Sequence, residues 1–156
     1  MKLLSCELRD QTGHEAGRQL LRKLYRQETG EELPEICIAD RGKPYFSESP
    51  WHFSISHTSK HAFCVLSRYN VGLDAEELDR KVNLKLAEKI LSPSEKQQFD
   101  AAENKEKALL TFWVLKEAAA KLSGEGLRGY PNHTNFSLDD PRVMELDGSL
   151  VAVMEE

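Results

Sequence analysis

The sequence predicts an α+β chain, and three features lead to that class. Apolar and polar residues alternate with a strand's period of two in WHFSISH (51–57), two longer stretches repeat with a helical period, and Asp147-Gly148 sits between runs that read as a terminal hairpin. With 156 residues and 40% apolar content the chain is long enough for a real core, in one domain or in two very small lobes.

A short first strand is followed by a helix over 13–29, with Leu20, Leu21 and Leu24 on one side and Gly30 placed as its stop. EICIAD (35–40) reads as a strand, and Asp40 and Gly42 turn the chain into Lys43, Pro44, Tyr45 and Phe46. The alternating strand at 51–57 has an apolar face of Trp51, Phe53 and Ile55 and a polar face of His52, Ser54 and Ser56; HAFCVLS (61–67) and NVGLD (70–74) are expected to continue its sheet. Leu84, Leu86, Ala87, Ile90 and Leu91 suit a short helix. SPSE (92–95) opens another, with Ser92 as N-cap, Pro93 at the first helical position and Glu95 closing a capping box. The strongest helix runs over 106–122 and stops at SGEG, and VMELDGSLVAVM (143–154) is the hairpin.

Charge narrows the range of partners. The 21 basic and 26 acidic residues leave a net charge of −5, which gives no global attraction to nucleic acid or to an anionic membrane, so an anionic ligand must be held locally. No stretch approaches the roughly 20 apolar residues of a membrane helix, and the N-terminus meets charge after a short apolar patch, so a soluble, unprocessed protein is expected. Cys6, Cys37 and Cys64 are odd in number and widely spaced. They suggest neither a disulfide framework nor a zinc site, and a cytoplasmic location follows.

RYNVGLDAEELDR (68–80) gathers Asp74, Glu76 and Glu77 at the end of an apolar strand. Period two lets Asp74 and Glu76 project from one face. In FWVLKEAAAK, Glu117 lies one turn beyond Trp113 and two beyond Leu109, with Lys121 one turn further. Three converging carboxylates are a hard oxygen set that Mg²⁺ accepts. The plainer alternatives are a solvated acidic loop and an ordinary amphipathic helix. Lys43 beside a Gly turn, and Ser56 with His57 at a strand end, could bind phosphate oxygens, although each also fits an ordinary turn or strand end. A serine hydrolase is disfavoured, because neighbouring strand residues face opposite ways and no G-x-S-x-G elbow is present.

Taken in order, GKPYF, FSISHT, VGLDAEE, and FWVLKEAAAK followed by GEGL resemble the Sfp-type 4′-phosphopantetheinyl transferases over about 41–127. The related holo-acyl-carrier-protein synthases lack the Gly-Lys-Pro and Ser-His segments. The resemblance implies two similar small α+β lobes related by a pseudo-twofold axis, here lobes of about 1–70 and 71–156 within a single domain over 1–156, the N-terminal lobe being shortened. It implies Mg²⁺ held by Asp74, Glu76 and Glu117, coenzyme A phosphates contacted by Lys43, Ser56 and His57, and a leaving group stabilised by Lys121. Asp74, Glu117 and Lys121 form the implied catalytic set, with Glu117 also a general base.

The implied reaction moves 4′-phosphopantetheine from coenzyme A to a serine hydroxyl of an apo carrier protein and releases adenosine 3′,5′-bisphosphate. A non-catalytic coenzyme A- or carrier-binding module of the same fold is the alternative, and a generic Mg²⁺-dependent phosphohydrolase a remoter one. The short first lobe leaves little room for the basic residues that often help bind coenzyme A. Arg18, Arg22 and Lys23 are the substitutes at hand, and either the chain is a minimal monomer or a homo-oligomer completes the site. Lys81, Lys85 and Lys89 recur every four residues, which on a helix makes a basic stripe suited to an acidic carrier; Lys96 extends it.

Overall fold

Two three-stranded antiparallel sheets, each backed by one long helix, carry the chain in this computed structural model, which describes residues 1–127 and 131–156. The first sheet has β1 (Lys2–Glu7) and β4 (His52–His57) on either side of β5 (His61–Ser67), with α1 (Gly13–Thr29) packed on β5 and β4. A two-stranded ribbon of β2 (Ile36–Ile38) and β3 (Pro44–Phe46) lies between α1 and β4 in sequence. The second sheet has β6 (Val71–Glu77) and β7 (Val143–Leu146) flanking β8 (Ser149–Glu155), and α4 (Lys105–Ser123) packs on β6 and β8. Between β6 and α4 come a 3₁₀ turn (Leu84–Leu86), the single turn α2 (Ala87–Ile90) and α3 (Pro93–Ala101).

Local chemistry accounts for most of these boundaries. Thr12 and Glu15 form a capping box that starts α1, and Gly30 ends it with φ 75°, a left-handed conformation that glycine adopts without a Cβ clash. Gly17 lets α1 lie close on β4: a Cβ there would come within 2.4 Å of Ile55 Cγ2. Leu20, Leu21 and Leu24 then pack with Tyr25, Phe46 and Phe53 in the first core. The capping box of Ser92 and Glu95 opens α3 with Pro93 in its first turn, and Asn104 caps α4 one residue earlier than the sequence suggests. Asp147 and Gly148 turn the terminal hairpin with positive φ at both positions.

In one respect the sheet differs from the sequence expectation. β6 does not continue the β4–β5 sheet; it pairs with β8, from Val71 opposite Glu155 to Glu77 opposite Ser149. β4 still runs beside its free edge, and two hydroxyls take the place of a backbone ladder. Ser54 Oγ accepts from the Leu73 amide at 3.0 Å, and Ser56 Oγ accepts from the Ala75 amide at 3.2 Å. Ser54 and Ser56 on the polar face of β4 are therefore buried, while His52 at its start stays exposed, and the two serines satisfy an edge that would otherwise lack partners. Phe63 and Val65 of the first sheet meet Val71, Leu73, Val151 and Val153 of the second in a shared core.

The basic stripe is also broken up. Lys81 precedes the 3₁₀ turn, Lys85 lies within it and Lys89 is on α2, so the three do not share one regular helix. Asn83 caps the turn through the Lys85 amide, and this local bond competes with a continuous helix.

Gly72 sets the distance between β6 and α4. A Cβ at Gly72 would come within 2.1 Å of the Ala118 carbonyl oxygen and 2.5 Å of the Leu122 nitrogen, both backbone atoms that cannot rotate aside. Gly72→Ala is expected to destabilise the protein by about 3 kcal/mol, measurable by urea unfolding, because helix and strand must separate to admit the methyl. A variant as stable as the wild type would show that α4 shifts freely.

Candidate active site

Gly72, Asp74 and Glu76 alternate with the core residues Val71, Leu73 and Ala75, so this face of β6 turns toward α4. The close approach permitted by Gly72 brings Lys121 to Asp74. Asp74 is buried, and its Oδ1 accepts from Lys121 Nζ at 2.9 Å and from Ser56 Oγ at 3.1 Å. Its Oδ2 is buried and has no hydrogen-bond partner among the described residues. Glu76 meets Arg80 at 2.5 Å. On α4, Trp113, Glu117 and Lys121 follow at one-turn intervals and line the same open cleft as Ser56, His57, Asp74, Glu76 and Arg80. Glu77 separates from the other two strand carboxylates: it accepts from Ser59 Oγ and pairs with Lys60 at 3.6 Å.

The electrostatics of the cleft are those of crowded negative charge. Burial pushes the Asp74 carboxyl above its ordinary value; Lys121 and Ser56 oppose the shift, and Glu76 adds to it. Glu117 is raised as well, by burial first and then by the charge of Asp74, with Lys121 opposing. A hollow that shares Ile55, Glu117 and Lys121 continues the cleft toward the turn of Arg41, Gly42 and Lys43.

The three residues expected at phosphates are placed unequally. His57 is at the exposed end of β4, lines the cleft and packs over Gly13, where a Cβ would come within 2.2 Å of its ring. Ser56 gives its proton to Asp74 and accepts the Ala75 amide, so it acts here as a joint between β4 and β6. Lys43 borders the hollow, but its ammonium donates to the Leu122 carbonyl at 2.8 Å and to Asn70 Oδ1 at 2.7 Å. In this arrangement it ties the β2–β3 turn to the C-terminal end of α4, where a cation also suits the helix dipole, and burial lowers its pKa. Arg18 is half-buried, and Arg22 and Lys23 are exposed on α1; none of them lines the cleft.

Sequence reasoning passed over two features. Arg80 stands four residues after Glu76, and that spacing in EELDR is its one signal. Lys116 and Glu95 form a fully buried ion pair at 2.6 Å; in the sequence Glu95 has a role as a capping residue only, and Lys116 none. Among the described residues, no three His, Cys, Asp or Glu side chains are drawn together closely enough to hold a metal ion as they stand. Lys121 and Arg80 occupy the strand carboxylates. The donor set nevertheless suits a hard cation: three carboxylates share the cleft, Asp74 and Glu117 are raised in pKa by burial first and then by neighbouring carboxylates, and among the described residues a buried carboxylate oxygen lacks a partner.

The motifs and the fold agree with relationships found across the chain. A model of the 4′-phosphopantetheinyl transferase superfamily matches residues 70–150, from the start of β6 into β8, and the chain belongs to that superfamily. The 4′-phosphopantetheinyl transferase psf-1 of Bacillus pumilus is 34% identical over 89 residues, which are 55% of this chain and 38% of that one. HetI of Nostoc sp., also a 4′-phosphopantetheinyl transferase, is 31% identical over 122 residues, 72% of this chain and 52% of its own. AcpT of Escherichia coli O157:H7 is 35% identical over 115 residues, 70% and 56% of the two chains. The chain thus spans about half the length of the curated relatives it matches, or less. Among the described residues, no helix is long and apolar enough to cross a membrane.

Proposed function

We propose that the chain is a Mg²⁺-dependent 4′-phosphopantetheinyl transferase that uses coenzyme A as donor and a serine of an apo carrier protein as acceptor. The observation that carries this reading is the buried Asp74 Oδ2, unpartnered among the described residues, in a cleft that also holds Glu76, Glu117 and Lys121. Asp74, Glu76 and Glu117 would hold the metal, which when bound supplies positive charge against the pyrophosphate of coenzyme A. Phosphoryl transfer depends chiefly on alignment and charge neutralisation, and the protein's own groups can provide both.

In the reaction, the serine oxygen bonds to the phosphorus that carries pantetheine, and the bond from that phosphorus to the bridging oxygen breaks. Adenosine 3′,5′-bisphosphate leaves. Glu117 takes the serine proton directly or through a water. Lys121 turns from Asp74 toward the leaving phosphate. His57, whose Nδ1 lies 3.4 Å from the Thr58 carbonyl oxygen, lines the cleft and would meet another phosphate of coenzyme A there. For Lys43 and Ser56 the same role requires giving up the bonds they make here. The three free thiols fit a reducing cytoplasm.

The test is one incubation of the protein with coenzyme A, Mg²⁺ and an apo carrier, read by intact mass. A transferase adds one phosphopantetheine to the carrier. A binding module adds nothing, and a phosphohydrolase consumes coenzyme A without loading the carrier.

The carrier side rests on a local surface. Lys85 and Lys89 are exposed next to Leu84 and Leu86, which are 38% and 41% exposed, so positive charge and apolar area lie together although no regular stripe forms. This suits an acidic partner with an apolar face. Reversing Lys85 and Lys89 to Glu is expected to raise KM for the carrier about tenfold at low salt, leave coenzyme A binding unchanged and flatten the salt dependence of the rate. Equal carrier kinetics for the two proteins at low ionic strength would return these lysines to solvent.

A further inference from the structure

Each strand carboxylate of the cleft carries a resident cation, Lys121 on Asp74 and Arg80 on Glu76, and the two cations are held differently. Lys121 projects from a regular helix and its side chain is one-third exposed, at 33%. Arg80 hangs from the turn that ends β6, where its amide donates to the Glu77 carbonyl at 3.1 Å, and its side chain is 50% exposed. The Glu76 side chain is only 18% exposed, so the pair is partly withdrawn from water on the carboxylate's side. Next to the cleft is an apolar groove lined by Val82, Leu86, Ile90, Leu109 and Trp113, and Arg80 lines both the groove and the cleft.

An arginine keeps its proton at any pH a folded protein meets, so titration of Arg80 does not free its partner. Glu76 is therefore released only when Arg80 moves. We propose that Arg80 is an internal counter-ion that competes with the metal for Glu76: it offsets the crowded carboxylates in the metal-free protein, and it must leave Glu76 before that carboxylate becomes a ligand. The inference rests on the metal reading of Asp74, Glu76 and Glu117. It adds that metal affinity is set partly by a residue that is not a ligand, and that metal binding frees a positive charge beside the groove.

The test is direct binding of Mn²⁺, a spectroscopically visible stand-in for Mg²⁺, to the full chain. Electron paramagnetic resonance of free Mn²⁺ would be followed in wild type, Arg80→Ala, Lys60→Ala and Glu76→Gln. Lys60 pairs with Glu77 and Asp79 and does not touch Glu76, so its removal controls for the loss of a nearby positive charge. Arg80→Ala is expected to bind Mn²⁺ about fivefold more tightly than wild type, the scale of one ion pair of this exposure, with Lys60→Ala within about twofold. The Mn²⁺-induced rise in Tm should also be larger for Arg80→Ala, because the metal-free form has lost its counter-ion.

Weaker or unchanged binding by Arg80→Ala, or an equal gain in Lys60→Ala, overturns the counter-ion role. In either case, if Glu76→Gln still abolishes binding by the wild type, the metal site itself survives. Absence of Mn²⁺ binding to every one of these proteins overturns the metal reading and the competition together.

Discussion

Glu117→Gln is expected to slow carrier loading by roughly a hundred- to a thousandfold while leaving the metal-free protein at least as stable as the wild type. The two effects have one cause. Burial and the charge of Asp74 raise the folded-state pKa of Glu117, so ionising it is harder in the folded chain than in the unfolded one. A carboxyl whose folded pKa is raised contributes stability below its unfolded pKa and loses that contribution as pH rises through the folded value. At neutral pH the charge is therefore a burden that Gln removes without changing the shape of the side chain. Asp74→Asn should cost transfer similarly, but it also weakens the bond to Lys121 and is the less clean probe.

Two measurements check this: loading rate by intact mass, and Tm of the metal-free proteins between about pH 4 and 8. The Tm advantage of Glu117→Gln should shrink toward the acid end, where the wild-type carboxyl is already protonated. Near-normal loading by Glu117→Gln would remove Glu117 from both ligation and base catalysis. A large fall in Tm would instead mean that the carboxylate serves the fold.

The elements were readable in the sequence where the governing interaction is local. The bounds of α1 follow from Thr12, Glu15 and Gly30, and α3 from Ser92, Pro93 and Glu95, because a cap involves residues three or four apart. The terminal hairpin follows from two residues that tolerate positive φ. Pairing between distant strands was not readable in this way. The assignment of β6 to a second sheet depends on β8, more than seventy residues on, and on hydroxyls of β4 that look in sequence like an ordinary solvated face. The candidate site divides along the same line. Asp74, Glu76, Glu117 and Lys121 are legible from the periods of one strand and one helix, and they do share a cleft. The present bonds of Lys43 and Ser56 are set by Leu122, Asn70 and Asp74 across the fold, and no spacing within GKPYF or FSISHT encodes them.

The largest stability effect is expected at Lys116. Its ammonium is fully buried on α4 and donates to Glu95 Oε1, itself fully buried at the start of α3, and to the Thr134 hydroxyl. Glu95 Oε1 also accepts the Ser92 amide at 2.9 Å, and Oε2 accepts the Thr134 hydroxyl at 2.9 Å and the Phe136 amide at 3.0 Å. One carboxylate thus ties a helix start, a second helix and the segment before β7. Burial works against the charge of Glu95, but the bonds from Lys116, Ser92, Phe136 and Thr134 outweigh it and hold the carboxyl below its ordinary range. Burial lowers the Lys116 pKa, with Glu95 opposing.

Lys116→Ala should cost about 3–5 kcal/mol by urea unfolding, because it leaves a desolvated carboxylate without its counter-charge. Lys116→Met keeps the volume of the stem but leaves the same carboxylate unpaired, so it should be nearly as damaging. Adding Glu95→Gln to Lys116→Met should recover about half of the loss, since the neutral amide carries no uncompensated charge and can still accept the bonds at the helix start. The pH dependence has a definite sign. A carboxyl with a depressed folded pKa contributes stability above its unfolded value and loses it as pH falls through the folded one, so the wild type should weaken on acidification more steeply than Glu95→Gln. Additive costs in the double variant, or parallel acid profiles for wild type and Glu95→Gln, would show that the pair holds nothing together.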